Sequence, residues 1–185
     1  LEAGTYEVTV TEAQFCSATA RVIIGEPDLL TASINTSTNV SCNGGSDGTA
    51  TVTALGGTAP YLYLWSSGST DQTATGLSAG INYTVTITDA NNCIATANIT
   101  LTQPAALIVT ISDIVNANCA GGDNGSAKAT ASGGNGPYDF AWSYGFTQLD
   151  ELSNSMASGL AAGGYNVTVT DANGCTKVVG FEIGD

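Results

Sequence analysis

Five cysteines, sixteen acidic residues and no histidine define the chemistry open to this 185-residue chain. Without histidine, the usual nucleophile–base triads and most transition-metal sites are excluded. The cysteines stand at Cys16, Cys42, Cys93, Cys119 and Cys175, with no Cys-x-x-Cys pair among them, so disulfide chemistry is favoured over metal–thiolate binding. Two carboxylate pairs, Asp150 with Glu151 and Asp47 near Asp89, have the residue types of a glycoside hydrolase. That reaction needs two carboxyl groups facing across a cleft, and short repeated modules offer little cleft. Asp150 and Glu151 read more simply as solvated charges. Calcium is the stronger rival: Asp47, Asp89, Asp123 and Asp171 lie in Gly- and Asn-rich turns, and Asp28 follows a proline where an ion between modules is conceivable. No Asp-x-Asp-x-Asp loop is present, and an Asp at such a place also caps its own turn through backbone N–H groups. Turn capping is therefore the expected role, with calcium as the alternative and no other cofactor expected.

The elements that must position these residues are repeated. LEAGTYEVTVTEAQFC (1–16), LSAGINYTVTITDANNC (77–93) and LAAGGYNVTVTDANGC (160–175) each open on a Leu-x-Ala-Gly turn and end at a cysteine. Tyr83, Val85 and Ile87 alternate with Thr84, Thr86 and Thr88, the period-two pattern of a half-buried strand. Cys42 to Cys119, Pro60 to Pro137 and Trp65 to Trp142 are all 77 residues apart. The expected division is 1–27 as the closing part of an incomplete repeat, 28–104 as a first full repeat and 105–185 as a second. Short strands bounded by turn signals, with no helical period, predict an all-β chain of tandem Ig-like β-sandwiches, each with one disulfide. The Tyr after each Leu-x-Ala-Gly turn resembles a tyrosine corner.

Tyr61, Tyr63 and Trp65 recur as Tyr138, Phe140 and Trp142, while the leucines between them become Asp139 and Ala141. The aromatic face is therefore the expected core, together with Tyr83 and Tyr165, rather than a sugar platform. The second repeat carries six extra residues after Trp142. This expanded loop, 143–159, holds Tyr144, Phe146, Leu149, Leu152 and Met156, a candidate ligand-binding loop that could equally cover an open sheet end.

Lys and Arg number three, giving a net charge of −13. That balance argues against nucleic acid and against anionic membrane surfaces, and no apolar run is long enough to span a bilayer. Four of the cysteines fall at matching places in the two full repeats. Of their three connectivities, repeat symmetry favours Cys42–Cys93 and Cys119–Cys175. Disulfides imply an oxidising, extracytoplasmic setting. Cys16 is left over, to pair with an absent front of its own repeat or with a neighbouring chain.

These residues together resemble the SprB repeat, the tandem module of large surface adhesins in gliding Bacteroidota. The resemblance rests on Cys42-Asn-Gly-Gly-Ser-Asp-Gly48, Gly56-Gly57, Pro60-Tyr61, Trp65, Leu77-Ser-Ala-Gly80 and Tyr83 through Asp89-Ala-Asn-Asn-Cys93, and on their second-repeat counterparts from Cys119 to Cys175. The first copy departs from it with Glu12-Ala-Gln-Phe15 in place of Asp-Ala-Asn. The resemblance implies a non-catalytic stalk module of a long adhesin or filament on the bacterial surface, exported by the type IX route. Its partners would be neighbouring repeats or identical subunits in a fibre, with surface glycans as a further class. Two other readings stay open: a filament subunit that donates residues 1–26 to a neighbour's sheet, and a carbohydrate-binding module.

Overall fold

The computed structural model describes residues 1–118, 121–151 and 153–185. Within them every regular element is a strand. A hairpin of β1 (Gly4–Thr11) and β2 (Ser17–Ile24) forms a two-stranded sheet by itself. Next come β3 (Thr31–Thr38), β4 (Gly48–Leu55), β5 (Leu62–Trp65), β6 (Thr73–Leu77), β7 (Asn82–Thr88) and β8 (Ile94–Thr100). They form two three-stranded antiparallel sheets, ordered β3-β4-β6 and β5-β7-β8. The remaining strands are β9 (Ile108–Val115), β10 (Gly125–Ser132), β11 (Tyr138–Trp142), β12 (Thr147–Glu151), β13 (Asn154–Leu160), β14 (Gly163–Asp171) and β15 (Thr176–Ile183). Their sheets are β9-β10-β13 and β12-β11-β14-β15. This is the Ig arrangement, strands A-B-E facing C-F-G, with one strand added beside C in the second sandwich. The chain is all-β and built of tandem Ig-like sandwiches.

Alternation places the cores. Ala50, Val52, Val85 and Ile87 are completely buried, and Trp65 on β5 is 1% exposed against them. In the second sandwich Phe140, Val167 and Val169 are completely buried and Trp142 is nearly so. Tyr83 and Tyr138 are buried, while Tyr61, Tyr63 and Tyr165 are half-buried and pack on the rim of the cores. The strand-opening tyrosines fasten their corners: Tyr6 Oη donates to Glu2 O (2.8 Å) and Tyr165 Oη to Ala161 O (3.0 Å). The middle copy has one more residue in the turn, and there Tyr83 Oη accepts from Ser78 N (3.0 Å).

The hairpin differs. Val8, Val10, Val22 and Ile23 are all more than half exposed, so among the described residues the alternation seen in its sequence has no second sheet to bury against.

The expanded segment is a correction. Apart from the turn at Trp142–Phe146, where Trp142 N donates to Phe146 O (2.8 Å), the segment expected as a loop holds strands at Thr147–Glu151 and Asn154–Leu160. β12 pairs with β11, and the chain then crosses to the other sheet as β13. The added length also gives Trp142 a new partner: its Nε1–H donates to the buried Ser155 Oγ (2.9 Å), and Ser155 Oγ donates to Gln148 Oε1. In the first sandwich the matching Trp65 Nε1–H uses a backbone carbonyl, Asp71 O (2.9 Å).

A cross-linked joint between two repeats

Each sandwich ends in two kinds of polar turn, and the acidic residues build them. At the β7–β8 turn Asp89 is 4% exposed and accepts three backbone N–H groups. Thr58 N reaches Oδ2 (2.9 Å), and Asn91 N (2.9 Å) and Cys93 N (2.8 Å) reach Oδ1. Burial pushes its pKa up, but these donors outweigh burial and hold the carboxyl below its usual value. Asp171 does the same in the second sandwich, accepting from Asn135 N, Asn173 N and Cys175 N, each at 2.9 Å. Two aspartates therefore tie the turn bearing a cysteine to the Gly-Gly turn before β5 or β11.

This cradle needs glycine at Gly134, with φ +56° and a Cβ that would lie 2.5 Å from Asp171 Oδ2. Gly134→Ala is expected to cost about 1–3 kcal/mol in chemical denaturation, from the left-handed backbone plus that contact. Gly174→Asn is the control: Gly174 has φ +81° with open space around it, and Asn92 already occupies the matching place at φ +64°. Equal losses for the two variants would reject this account.

The other turn follows β3 or β9. Ser41 N donates to Asp47 Oδ1 (3.0 Å) and Ser41 Oγ to Oδ2 (2.5 Å), which lowers the Asp47 pKa. The second sandwich uses an amide instead, with Asn118 N on Asn124 Oδ1 (2.9 Å). Asp28 and Asp123 are exposed. Among the described residues no three His, Cys, Asp or Glu side chains gather in a metal-binding group, and the oxygens of Asp47, Asp89 and Asp171 are engaged by the protein's own donors. The side chains of Asp150 and Glu151 lie outside the described parts.

The cysteines correct the expected pairing. Cys42 is bonded to Cys175 across the two repeats, with a Cα–Cα distance of 5.7 Å, while Cys93 and Cys16 are free and exposed. Cys119 lies outside the described residues. The reason is topological. The β3–β4 turn carrying Cys42 and the β7–β8 turn carrying Cys93 sit at opposite ends of one sandwich. Strands of seven or eight residues at ~3.3 Å each separate them by roughly 25 Å, far beyond a disulfide's reach. Stacking the sandwiches end to end brings the Cys42 turn of the first onto the Cys175 turn of the second.

Hydrogen bonds complete the joint. Asn173 Nδ2 donates to Ser41 O (2.8 Å), Asn43 Nδ2 to Pro104 O (3.0 Å) and Gly44 N to Gln103 Oε1 (2.7 Å). A polar cleft of about 550 Å³ opens beside it, lined by Asn39, Ser41, Gln103, Asn135 and Asn173 among others. The sequence had pointed to Asn173 only as a turn residue. Its role across the joint depends on which repeat faces it.

The candidate ligand residues are placed on the second sandwich. Tyr144 and Phe146 stack at 6.0 Å between ring centroids, and Tyr144 meets Tyr165 edge-on at 6.4 Å. They extend the row Trp142–Phe181–Tyr165 outward over the sheet end. Leu149 and Met156 are exposed on β12 and β13, and Leu152 lies outside the described residues.

With the geometry in place, a family model described as "SprB repeat" matches residues 34–70 and 111–147. The chain carries the SprB repeat twice. Each match runs from the first strand of a sandwich past its buried tryptophan, so it takes in the Cys42 turn and the Gly-Gly–Pro–Tyr segment of one repeat and their counterparts in the other. Curated proteins provide no match. Among solved structures, the chain is similar to the three N-terminal domains of the Highly Immunogenic Outer Capsid protein of bacteriophage RB49. Identity is 17% over 83% of this chain and 58% of that one, with a TM-score of 0.46. It is also similar to the N-terminal eight Ig domains of Down Syndrome Cell Adhesion Molecule, at 11% identity over 98% of this chain and 27% of that one, with a TM-score of 0.44. The chain thus spans less than two thirds of either. The SprB repeats, on Ig-like sandwiches, fit the repeat region of a surface adhesin.

Proposed function

We propose that the chain is a non-catalytic spacer segment of a large bacterial cell-surface adhesin, exported by the type IX route and serving a gliding cell. Its modules are 28–104 and 105–185, preceded at 1–27 by the closing part of a further repeat. The observation that carries this reading is the joint: two SprB-repeat sandwiches set end to end, connected by a short Pro-containing linker and cross-linked by Cys42–Cys175. Such a joint fixes the position of one module on the next, as a spacer requires, and its disulfide suits an oxidising exterior. Partners are neighbouring repeats along the fibre, with surface glycans as the class of adhesion target. The test is immunogold labelling of intact cells with antibody raised against residues 28–185, alongside brief protease treatment of whole cells. Label on unpermeabilised cells, removed by protease, is the expected result. Label that appears only after permeabilisation would reject the reading.

A second reading has one observation in its favour: the β1–β2 hairpin exposes Val8, Val10, Val22 and Ile23 and, among the described residues, pairs with no other sheet. In that reading it completes the sheet of another copy by strand addition.

A further inference from the structure

The joint leaves one of its two halves exposed again on the first sandwich. The receiving half on the second sandwich consists of the Asp171 cradle, Asn173 and Cys175, and in this structure it is occupied by the Cys42 turn. The first sandwich carries the same cradle at its own matching end. Asp89 takes the same three N–H donors at the same distances within 0.1 Å. Asp89 N donates to Cys93 O (3.0 Å) as Asp171 N does to Cys175 O (2.9 Å), and Ala90 N donates to Thr58 O as Ala172 N does to Asn135 O.

The differences are those between an occupied and an open socket. Asn173 donates across the joint to Ser41 O, whereas Asn91 folds back onto Thr58 Oγ1 (2.9 Å) of its own sandwich. Cys175 is half-buried under its partner turn, and Cys93 is exposed.

We propose that Cys93 is the receiving half of a second inter-repeat disulfide, formed with the cysteine of a Cys-x-Gly-Gly turn of another SprB repeat docked on this end of the first sandwich. The partner is specified by the occupied joint. Its turn must present a thiol next to a free backbone carbonyl, as Cys42 and Ser41 do, so that Asn91 can leave Thr58 and donate to it. Bond formation is a two-electron oxidation. The two thiols lose two protons and two electrons and become one S–S bond, and a thiol–disulfide oxidoreductase of the cell exterior takes the electrons as its own disulfide opens to a dithiol. Repeated along a tandem array, this rule gives every repeat one bond forward and one bond back. Cys93 is then not a leftover thiol. The inference rests on the geometry of the repeats and, for its oxidant, on the extracellular placement proposed above.

The test is a disulfide map of the polypeptide as its own cell makes it. Free thiols are blocked with N-ethylmaleimide, the protein is digested without reduction, and linked peptides are sequenced by mass spectrometry. The expected result is the Cys93 peptide joined to a peptide containing Cys-x-Gly-Gly other than that of Cys42. Migration before and after reduction then tells a repeat of the same polypeptide from one of a second copy, and either supports the proposal. Maleimide on Cys93 in most molecules, or Cys93 bonded to Cys42 or Cys16, overturns it.

Discussion

Replacing Cys42 and Cys175 together by serine is expected to lower the thermal midpoint of both sandwiches by roughly 15–30 °C. The argument concerns the unfolded chain. If the first sandwich unfolds alone, the bridge still closes a loop from Cys42 to the joint at Pro104, about 60 residues; if the second unfolds alone, the loop from Ala105 to Cys175 is about 70. In the chain-entropy model either loop is worth about 4 kcal/mol, and for a domain of this size each kcal/mol moves the midpoint by roughly 4–8 °C. One bond therefore stabilises two domains by nearly equal amounts, unlike a bond within one sandwich. Scanning calorimetry of the oxidised chain, the reduced chain and the double variant measures this. Reduced chain and variant should melt alike and well below the oxidised chain. A drop confined to one sandwich would contradict the joint, and coincident curves would contradict the bridge itself.

Phe140→Ala is expected to cost about 3–5 kcal/mol in the second sandwich and almost nothing in the first. Phe140 is completely buried, pairs in register with Val169 and packs with Trp142 and Val167. A domain of this size has a total stability of about 4–11 kcal/mol, so the loss leaves the second sandwich near its unfolding threshold at ambient temperature. The companion variant is Met156→Ala. Met156 is 56% exposed, and its replacement should stay within about 0.5 kcal/mol. Hydrogen exchange read strand by strand separates the sandwiches: β10, β11 and β14 should lose protection in Phe140→Ala while β4 and β7 keep theirs. Loss of protection throughout the chain would mean that the two sandwiches unfold as one unit.

The strands were legible in the sequence because each buries one face, so Val85 and Ile87 or Val167 and Val169 mark the inward side directly. β12 was not legible. Thr147-Gln-Leu-Asp-Glu151 has one aliphatic residue, and it is a strand because the free edge of β11 offers partners for its backbone, a tertiary effect with no sequence period. Repeat symmetry favoured Cys42–Cys93, but symmetry is silent on which end of a sandwich each turn occupies. Counting strands between Cys42 and Cys93 gives four, an even number of passes, which puts both turns at one end. The pairings show otherwise: β5 and β6 run in the same direction, so residues 66–72 make a fifth pass without forming a strand. In the second sandwich that fifth pass is β12. The aspartate cradle was half legible. Turn capping was expected at Asp89 and Asp171, but their reach to Thr58 N and Asn135 N joins turns more than 30 residues apart. In the first copy Glu12 stands at that position. The backbone turn survives, with Glu12 N on Cys16 O (2.9 Å) and Phe15 at φ +67°, but among the described residues the longer carboxylate forms no such cradle.

The Cys42–Cys175 bridge also decides what a load sees. Tension applied between the ends of the chain follows the shortest covalent route, which leaves the backbone at Cys42, crosses the S–S bond and rejoins it at Cys175. The 133 residue steps in between, roughly 440–480 Å of extended backbone, hang beside that route and cannot be drawn out even if both sandwiches unfold. Most of both sandwiches, including their tryptophans and the linker between them, is thus removed from the line of force. Only a reductant returns that hidden length, so the thiol chemistry of the surroundings sets whether this segment behaves as a cable of fixed length or as an extensible spring.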